Sequence, residues 1–79
     1  MQAKVLITLK NGVLDPQGEA VLHALDNLGF DDVDGVRVGK MIELDLSDTN
    51  ADTARTRVEK MCEKLLANTV IEDYEVEIL

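Results

Sequence analysis

One histidine and one cysteine are the main candidates for catalytic chemistry in this chain of 79 residues. His23 lies off the helical stripe of Val21, Leu25 and Leu28, and the sequence offers it neither a nucleophile nor an orienting acid. We therefore interpret it as a solvated helix residue. Cys62 shares a helix face with apolar neighbours, which is typical of a small buried core residue. No catalytic residue is predicted.

Two acidic runs raise the question of a metal site. Asp31, Asp32 and Asp34 are spaced as in a calcium loop, but the glycine and the terminal glutamate that such a loop needs are missing. We interpret this run as a solvated turn between a helix and a strand. The second run mostly alternates with apolar residues and is typical of a solvated or partner-facing strand: Glu72, Asp73, Glu75 and Glu77. No metal ligand is predicted.

The glycines do not form a phosphate-binding loop, because neither GxGxxG nor GxxxxGK[ST] occurs. No cofactor-binding residue is therefore predicted.

Arg37 and Lys40 stand out in a chain with 16 acidic and 8 basic residues and a formal charge of −8. They bracket Gly39 at a predicted hairpin, and two interpretations stay open. The first is a salt-bridged hairpin, and the second is contact with an acidic or phosphate-bearing partner. The candidate partner contacts are Arg37, Gly39, Lys40, Asp73 and Tyr74.

The composition argues against several classes of partner. The negative charge repels nucleic acid backbones and anionic lipid heads, and no apolar run approaches the ~20 residues that span a membrane. A single cysteine excludes an internal disulfide, which fits a reducing compartment. The N-terminus has a strand pattern and no signal-peptide pattern. We expect a cytoplasmic protein that binds neither nucleic acid nor membrane.

The segment KNGVLDPQG predicts a rigid corner between a strand and a helix. The pair Asn11 and Gly12 favours a turn, and Asp15 is placed to accept a hydrogen bond from the first helical turn. Pro16 suits the first helical position, because its missing N–H would have had no partner there. The structural corner is Asp15, Pro16, Gln17 and Gly18. The helix is predicted to run from Pro16 to Leu28, with Gly29 as a left-handed cap.

Alternating and helical spacings predict six elements along a single domain of residues 1–79. The predicted strands are centred on residues 5–9, 36–38, 42–46 and 74–78, and the second helix spans about 50–68. Residues 36–38 and 42–46 are predicted to form a hairpin at Gly39 and Lys40. The order predicts an α+β, ferredoxin-like fold: a four-stranded antiparallel sheet with both helices on one face.

The other face of the predicted sheet carries Leu6, Met41 and Leu79 among polar residues. It is too mixed for a second core and too apolar to face only water. Because a small domain also has a thin stability margin, we expect a dimer or a larger assembly.

Four segments follow one another as in a known family: GVLDPQGEAV, ALDNLGF, VRVGK with IELDL, and LLANTVIEDYEVEIL. On these segments the chain resembles the PurS family, the small subunit of phosphoribosylformylglycinamidine synthase, over nearly its whole length. Thr69 departs from the family pattern, in which proline is expected after Leu-Ala-Asn, and a proline there would end the helix more firmly.

The resemblance implies a noncatalytic subunit of a glutamine-dependent ligase complex in de novo purine biosynthesis. Members of this family form dimers that bridge a glutaminase and a synthetase subunit and assist ammonia transfer. The synthetase uses ATP and Mg²⁺ to convert formylglycinamide ribonucleotide to formylglycinamidine ribonucleotide. The chain itself is expected to bind no cofactor.

Other proteins share this order of elements. An ACT-like small-molecule-binding regulatory domain tends to have an open, glycine-bearing first loop, whereas Asp15 and Pro16 fill that loop here. An acylphosphatase-like enzyme needs an arginine in the same loop, and a copper or zinc carrier needs CxxC; neither is present.

Overall fold

A central strand organises the computed structural model, which describes residues 1–79. The strands are β1 (Gln2–Leu9), β2 (Lys40–Asp45) and β3 (Glu72–Ile78). They form one antiparallel sheet in the order β2-β1-β3, with Val5 opposite Ile42 on one side and Val76 on the other. Both outer strands therefore have a free edge.

The core lies on one face of this sheet. Because side chains alternate along a strand, Ala3, Val5 and Ile7 of β1 all point to the same side, where they are almost completely buried. They pack with Val58 and Cys62 of the second helical segment. The predicted core role of Cys62 is confirmed.

That second segment begins as helix α2 (Ala51–Met61) and continues as a π-helical turn (Cys62–Leu66). Asn50 caps it, since its Oδ1 accepts hydrogen bonds from the amides of the first turn. The wider turn closes where the N–H of Ala67 donates to the carbonyl oxygen of Cys62 at 3.1 Å. The two parts together run from residue 51 to residue 66, close to the predicted start near residue 50 and slightly short of the predicted end at residue 68.

Helix α1 (Pro16–Asn27) also forms where the sequence predicts it. Leu28 caps its C-terminus, and Gly29 follows with a φ of +96°, in the left-handed region that glycine favours. The N–H of Phe30 then donates to the carbonyl oxygen of Leu25 at 2.9 Å, which completes the cap. No helix in the structure has the length and apolar character needed to cross a bilayer.

The prediction that both helices cover one face of the sheet is wrong for α1. Only Gly18 is buried in this helix, and its apolar residues Val21 and Leu28 are exposed. The chain measures 48 × 24 × 14 Å with a radius of gyration of 15.9 Å, whereas a compact domain of this length has about 12 Å. Helix α1 therefore extends away from the sheet that α2 covers.

The predicted four-stranded sheet is also wrong, because the sheet has three strands. No strand forms at residues 36–38, and the predicted hairpin at Gly39 and Lys40 is absent. The physical reason is that the backbone N–H of Val38 bonds to the side chain of Asp15. This segment is thus held by the corner before α1 and does not pair with β2.

Candidate functional site

The carboxylate of Asp15 joins two distant parts of the chain. Its Oδ1 accepts a hydrogen bond from the N–H of Gly18 at 2.9 Å, which is the helix cap expected from the sequence. Its Oδ2 accepts one from the N–H of Val38 at 3.0 Å. These bonds, with that of Val38 the stronger influence, hold the pKa of Asp15 below its usual value, and the nearby Arg37 charge adds to the effect.

Two glycines allow the backbones to approach at this corner. A Cβ on Gly18 would lie 2.4 Å from the carbonyl oxygen of Val36, and a Cβ on Gly39 would lie 2.5 Å from that of Ile7. Such distances are too short for any side chain. Residues 36–39, which we call the strap, therefore fit closely between the start of α1 and strand β1.

Arg37 fastens the strap to the end of β1. Its guanidinium donates through Nη2 to the carbonyl oxygen of Leu9 and through Nη1 to Oδ1 of Asn11, the latter at 2.9 Å. The Arg37 side chain is exposed, as predicted, but it does not lie at a hairpin. It is engaged within its own chain instead. Both terminal nitrogens of its guanidinium therefore donate hydrogen bonds within the fold.

Lys40 lies beside the strap at the start of β2. Its Nζ is 3.9 Å from a carboxylate oxygen of Glu72, and its side chain remains 58% exposed. A groove of about 340 Å³ separates this pair from the corner, and its lining includes Asp15, Pro16, Gln17, Gly39, Lys40 and Glu72. The structure therefore brings the predicted corner and two of the predicted partner contacts to one groove.

Tyr74 and Asp73 lie on β3 and point to opposite faces of the sheet. The hydroxyl of Tyr74 donates to Oε1 of Glu63 at 2.7 Å. This hydrogen bond stabilises the protonated phenol and raises the pKa of Tyr74 to about 12. Asp73 is exposed opposite Thr8 of β1. Of the predicted contacts, Lys40 and Asp73 have exposed side chains, whereas those of Arg37 and Tyr74 are hydrogen-bonded within the chain.

The remaining polar candidates lie apart from this groove. His23 is exposed on α1, and Asp31, Asp32 and Asp34 are exposed beyond it. Burial raises the pKa of the Cys62 thiol, with smaller contributions from two neighbouring glutamates. No group of three metal-ligating side chains converges in the structure.

Comparison with known proteins assigns the family. The family model described as PurS, phosphoribosylformylglycinamidine (FGAM) synthase, matches residues 2–79. The chain belongs to the PurS family. It is similar to phosphoribosylformylglycinamidine synthase subunit PurS of Bacillus subtilis (strain 168), with 51% identity over 77 residues that make up 98% of this chain and 90% of the relative.

Solved PurS structures have a similar fold. The crystal structure of Methanocaldococcus jannaschii PurS matches with a TM-score of 0.87 and 46% identity, covering 96% of this chain and 92% of that one. A chain of the Thermotoga maritima PurLQS structure matches with a TM-score of 0.84 and 36% identity, covering 100% and 99%. These similarities favour the PurS family over an ACT-like domain.

Two of the PurS-like segments, DPQG and VRVGK, meet at the corner. Sequence reasoning missed this meeting, because nothing local connects Asp15 with Val38. One available signal was Gly18 in the first turn of a helix, where glycine is unfavourable unless something requires it. The close approach of the Val36 carbonyl is that requirement.

Gly18→Ala is expected to lower the free energy of unfolding by about 1–3 kcal/mol, since the new methyl group would collide with backbone. Gly35→Ala is the matched control, because a Cβ there meets nothing within 4 Å. Urea denaturation at equal protein concentration measures both. Alanine normally stabilises a helix relative to glycine, so equal or greater stability of Gly18→Ala would contradict the close fit of the strap.

Proposed function

We propose that this chain is the noncatalytic PurS subunit of an FGAM synthase complex in de novo purine biosynthesis. The observation that carries the proposal is the match along the whole chain, including its similarity to a chain of the PurLQS structure. The chain bridges a glutaminase and a synthetase subunit in the cytoplasm. The corner and the strap fix the shape of the groove beside them, which is part of the proposed binding surface.

The chemistry of the complex belongs to the larger subunits in this proposal. The glutaminase releases ammonia from glutamine, and the synthetase uses ATP and Mg²⁺ to convert formylglycinamide ribonucleotide to formylglycinamidine ribonucleotide. The small subunit contributes by keeping the two enzymes together, so that ammonia reaches the synthetase before it escapes to solvent.

Self-association is part of this proposal. Helix α1 extends from the sheet with its apolar residues exposed, and Leu6 and Met41 are exposed on the sheet face opposite α2. Apolar surface of this kind typically marks an interface. A dimer has two copies of each partner-binding surface, which suits a bridging subunit.

The nitrogen source distinguishes a coupling subunit from a general activator. We expect that omitting this chain from a mixture of the two larger subunits abolishes most glutamine-dependent turnover, while turnover with abundant free ammonia falls much less. The reason is that free ammonia bypasses transfer between subunits. Formation of the amidine product is measured with each nitrogen source. Equal dependence on the chain under both conditions would contradict the coupling role.

The exposed candidates Lys40 and Asp73, near Gly39 and Tyr74, are the proposed contacts with the larger subunits. We expect Lys40→Ala to weaken binding to one of these subunits by about 2–5 kcal/mol, the usual cost of removing one partner from a desolvated charge pair. Lys4→Ala, on the outer face of β1, is the control. Affinities for the two subunits are measured separately by calorimetry, alongside thermal unfolding.

Arg37 is unsuitable for this test, because its removal would also release the strap. A loss of affinity confined to one subunit would name the partner that meets this end of the sheet. Unchanged affinity for both subunits would leave Lys40 as a solvated residue paired only with Glu72.

A further inference from the structure

A pocket of about 270 Å³ opens beside the second half of α1, and we call it the helix-end pocket. Its lining is Leu22, His23, Asp26, Phe30 and Val33. Residues 22 and 26 lie about a third of a turn round the helix from the apolar stripe of residues 21, 25 and 28. The pocket is therefore a separate surface from that stripe.

The turn after α1 fixes one wall of the helix-end pocket. The N–H of Gly29 donates to the carbonyl oxygen of Asp26 at 3.1 Å, and that of Phe30 donates to the carbonyl oxygen of Leu25 at 2.9 Å. The positive φ of Gly29 turns the chain back toward the helix. Phe30 is thus held in place by its backbone, while its side chain stays exposed. Binding at this wall requires little further ordering of the backbone.

The helix-end pocket has an apolar centre and a polar border. Leu22 and Val33 are half-buried and line the pocket together with Phe30, whereas His23 and Asp26 are exposed. Protein interfaces typically seat a single buried side chain where an aromatic wall and apolar neighbours are enclosed by polar groups. The composition of the pocket therefore suits an apolar side chain of another protein.

The surroundings of the pocket are uniformly acidic. Residues 11–36 contain no lysine or arginine, so all 8 basic residues of the chain lie outside this segment. The carboxylates of the segment belong to Asp15, Glu19, Asp26, Asp31, Asp32 and Asp34. The last three are exposed and closely follow Phe30. Their negative field favours a positively charged surface beside the pocket.

The charge also argues against a second copy as the occupant. In a symmetric contact of two copies through this pocket, each acidic segment would face its own duplicate. Like charges brought together in this way oppose association. The complementary occupant is an apolar side chain flanked by lysine or arginine on a different protein.

A subunit that bridges two proteins needs two separate docking surfaces, and the two ends of α1 provide them. Pro16 and Gln17, at the start of the helix, line the groove that contains Lys40. Asp26 and Phe30, at the other end, line the helix-end pocket. A helix of 12 residues is about 18 Å long. The two surfaces are thus far enough apart to contact different proteins.

We infer that the helix-end pocket receives an apolar side chain from a basic surface of one larger subunit, and that this subunit is not the one that contacts Lys40. The inference rests on the bridging function proposed above. It adds a second docking surface and gives the chemistry of the partner that this surface fits.

Phe30→Ala tests the apolar part of this contact. The variant keeps the backbone bonds of the turn but removes the aromatic wall, so the dissociation constant for one larger subunit should rise at least about tenfold. Leu79→Ala is the matched control, because Leu79 is 56% exposed and Phe30 is 57% exposed. Calorimetry with each subunit measures affinity, and thermal unfolding checks that both variants are folded. Unchanged affinity of Phe30→Ala for both subunits would overturn the inference.

Two further results of this experiment would also overturn it. Sedimentation velocity should give Phe30→Ala the same mass as the wild type. A loss of affinity that occurs only together with a lower mass would assign the pocket to self-association. A loss confined to the subunit that Lys40→Ala also affects would contradict the assignment of the two ends of α1 to two partners.

Neutral variants test the acidic part of the contact. Asp31→Asn, Asp32→Asn and Asp34→Asn, combined in one chain, should slow association with the same subunit severalfold and weaken its dependence on salt. The control combines Glu43→Gln, Glu75→Gln and Glu77→Gln on the outer sheet face, which makes the same change in net charge. Association rates are measured by surface plasmon resonance at two salt concentrations. Equal slowing by both triple variants would reduce the effect to net charge and overturn the inference.

Failure of this inference differs from failure of the bridging function. A wild-type chain that binds neither larger subunit would refute both. A wild-type chain that binds both subunits, with the same affinities and rates as the pocket variants, would refute only the helix-end pocket. The glutamine assay judges the coupling role independently.

Discussion

The carboxylate of Asp15 is the point on which the arrangement of this small protein depends. By accepting hydrogen bonds from Gly18 and Val38, it ties the start of α1 to the strap that leads into β2. The N–H of Val38 is then committed to a side chain, so residues 36–38 do not add a fourth strand. The same bonds set the direction in which α1 leaves the sheet.

An extended α1 exposes apolar residues that a compact fold of this size would bury. Packing α1 on its own sheet would bury the apolar stripe and leave little surface for a neighbour. Held outward, the helix leaves Val21 and Leu28 exposed, at the cost of a smaller core. Such a trade is consistent with the bridging role proposed above.

Local sequence signals predicted most of the elements but not their assembly. The alternation in β1 and β3, the caps at Asp15 and Gly29 and the burial of Cys62 follow from neighbouring residues, and the structure has them all. The contact between Asp15 and Val38 was not predicted, because it links residues far apart in sequence. Val36 and Val38 alternate with polar residues as in a strand, so the local pattern predicts a strand that does not form. The bonds of Arg37 to Leu9 and Asn11 were equally beyond local patterns, because an isolated sequence does not show which charges its own fold uses.

Amide hydrogen exchange at Val38 tests most directly whether Asp15 holds the strap and α1 together. It can be followed by nuclear magnetic resonance in the wild type and in Asp15→Ala. We predict that the Val38 amide is protected in the wild type and exchanges at least about tenfold faster in the variant, while the amide of Val58 in the core changes little. A Val38 amide that exchanges freely in the wild type, or equally slowly in both proteins, would contradict this role of Asp15.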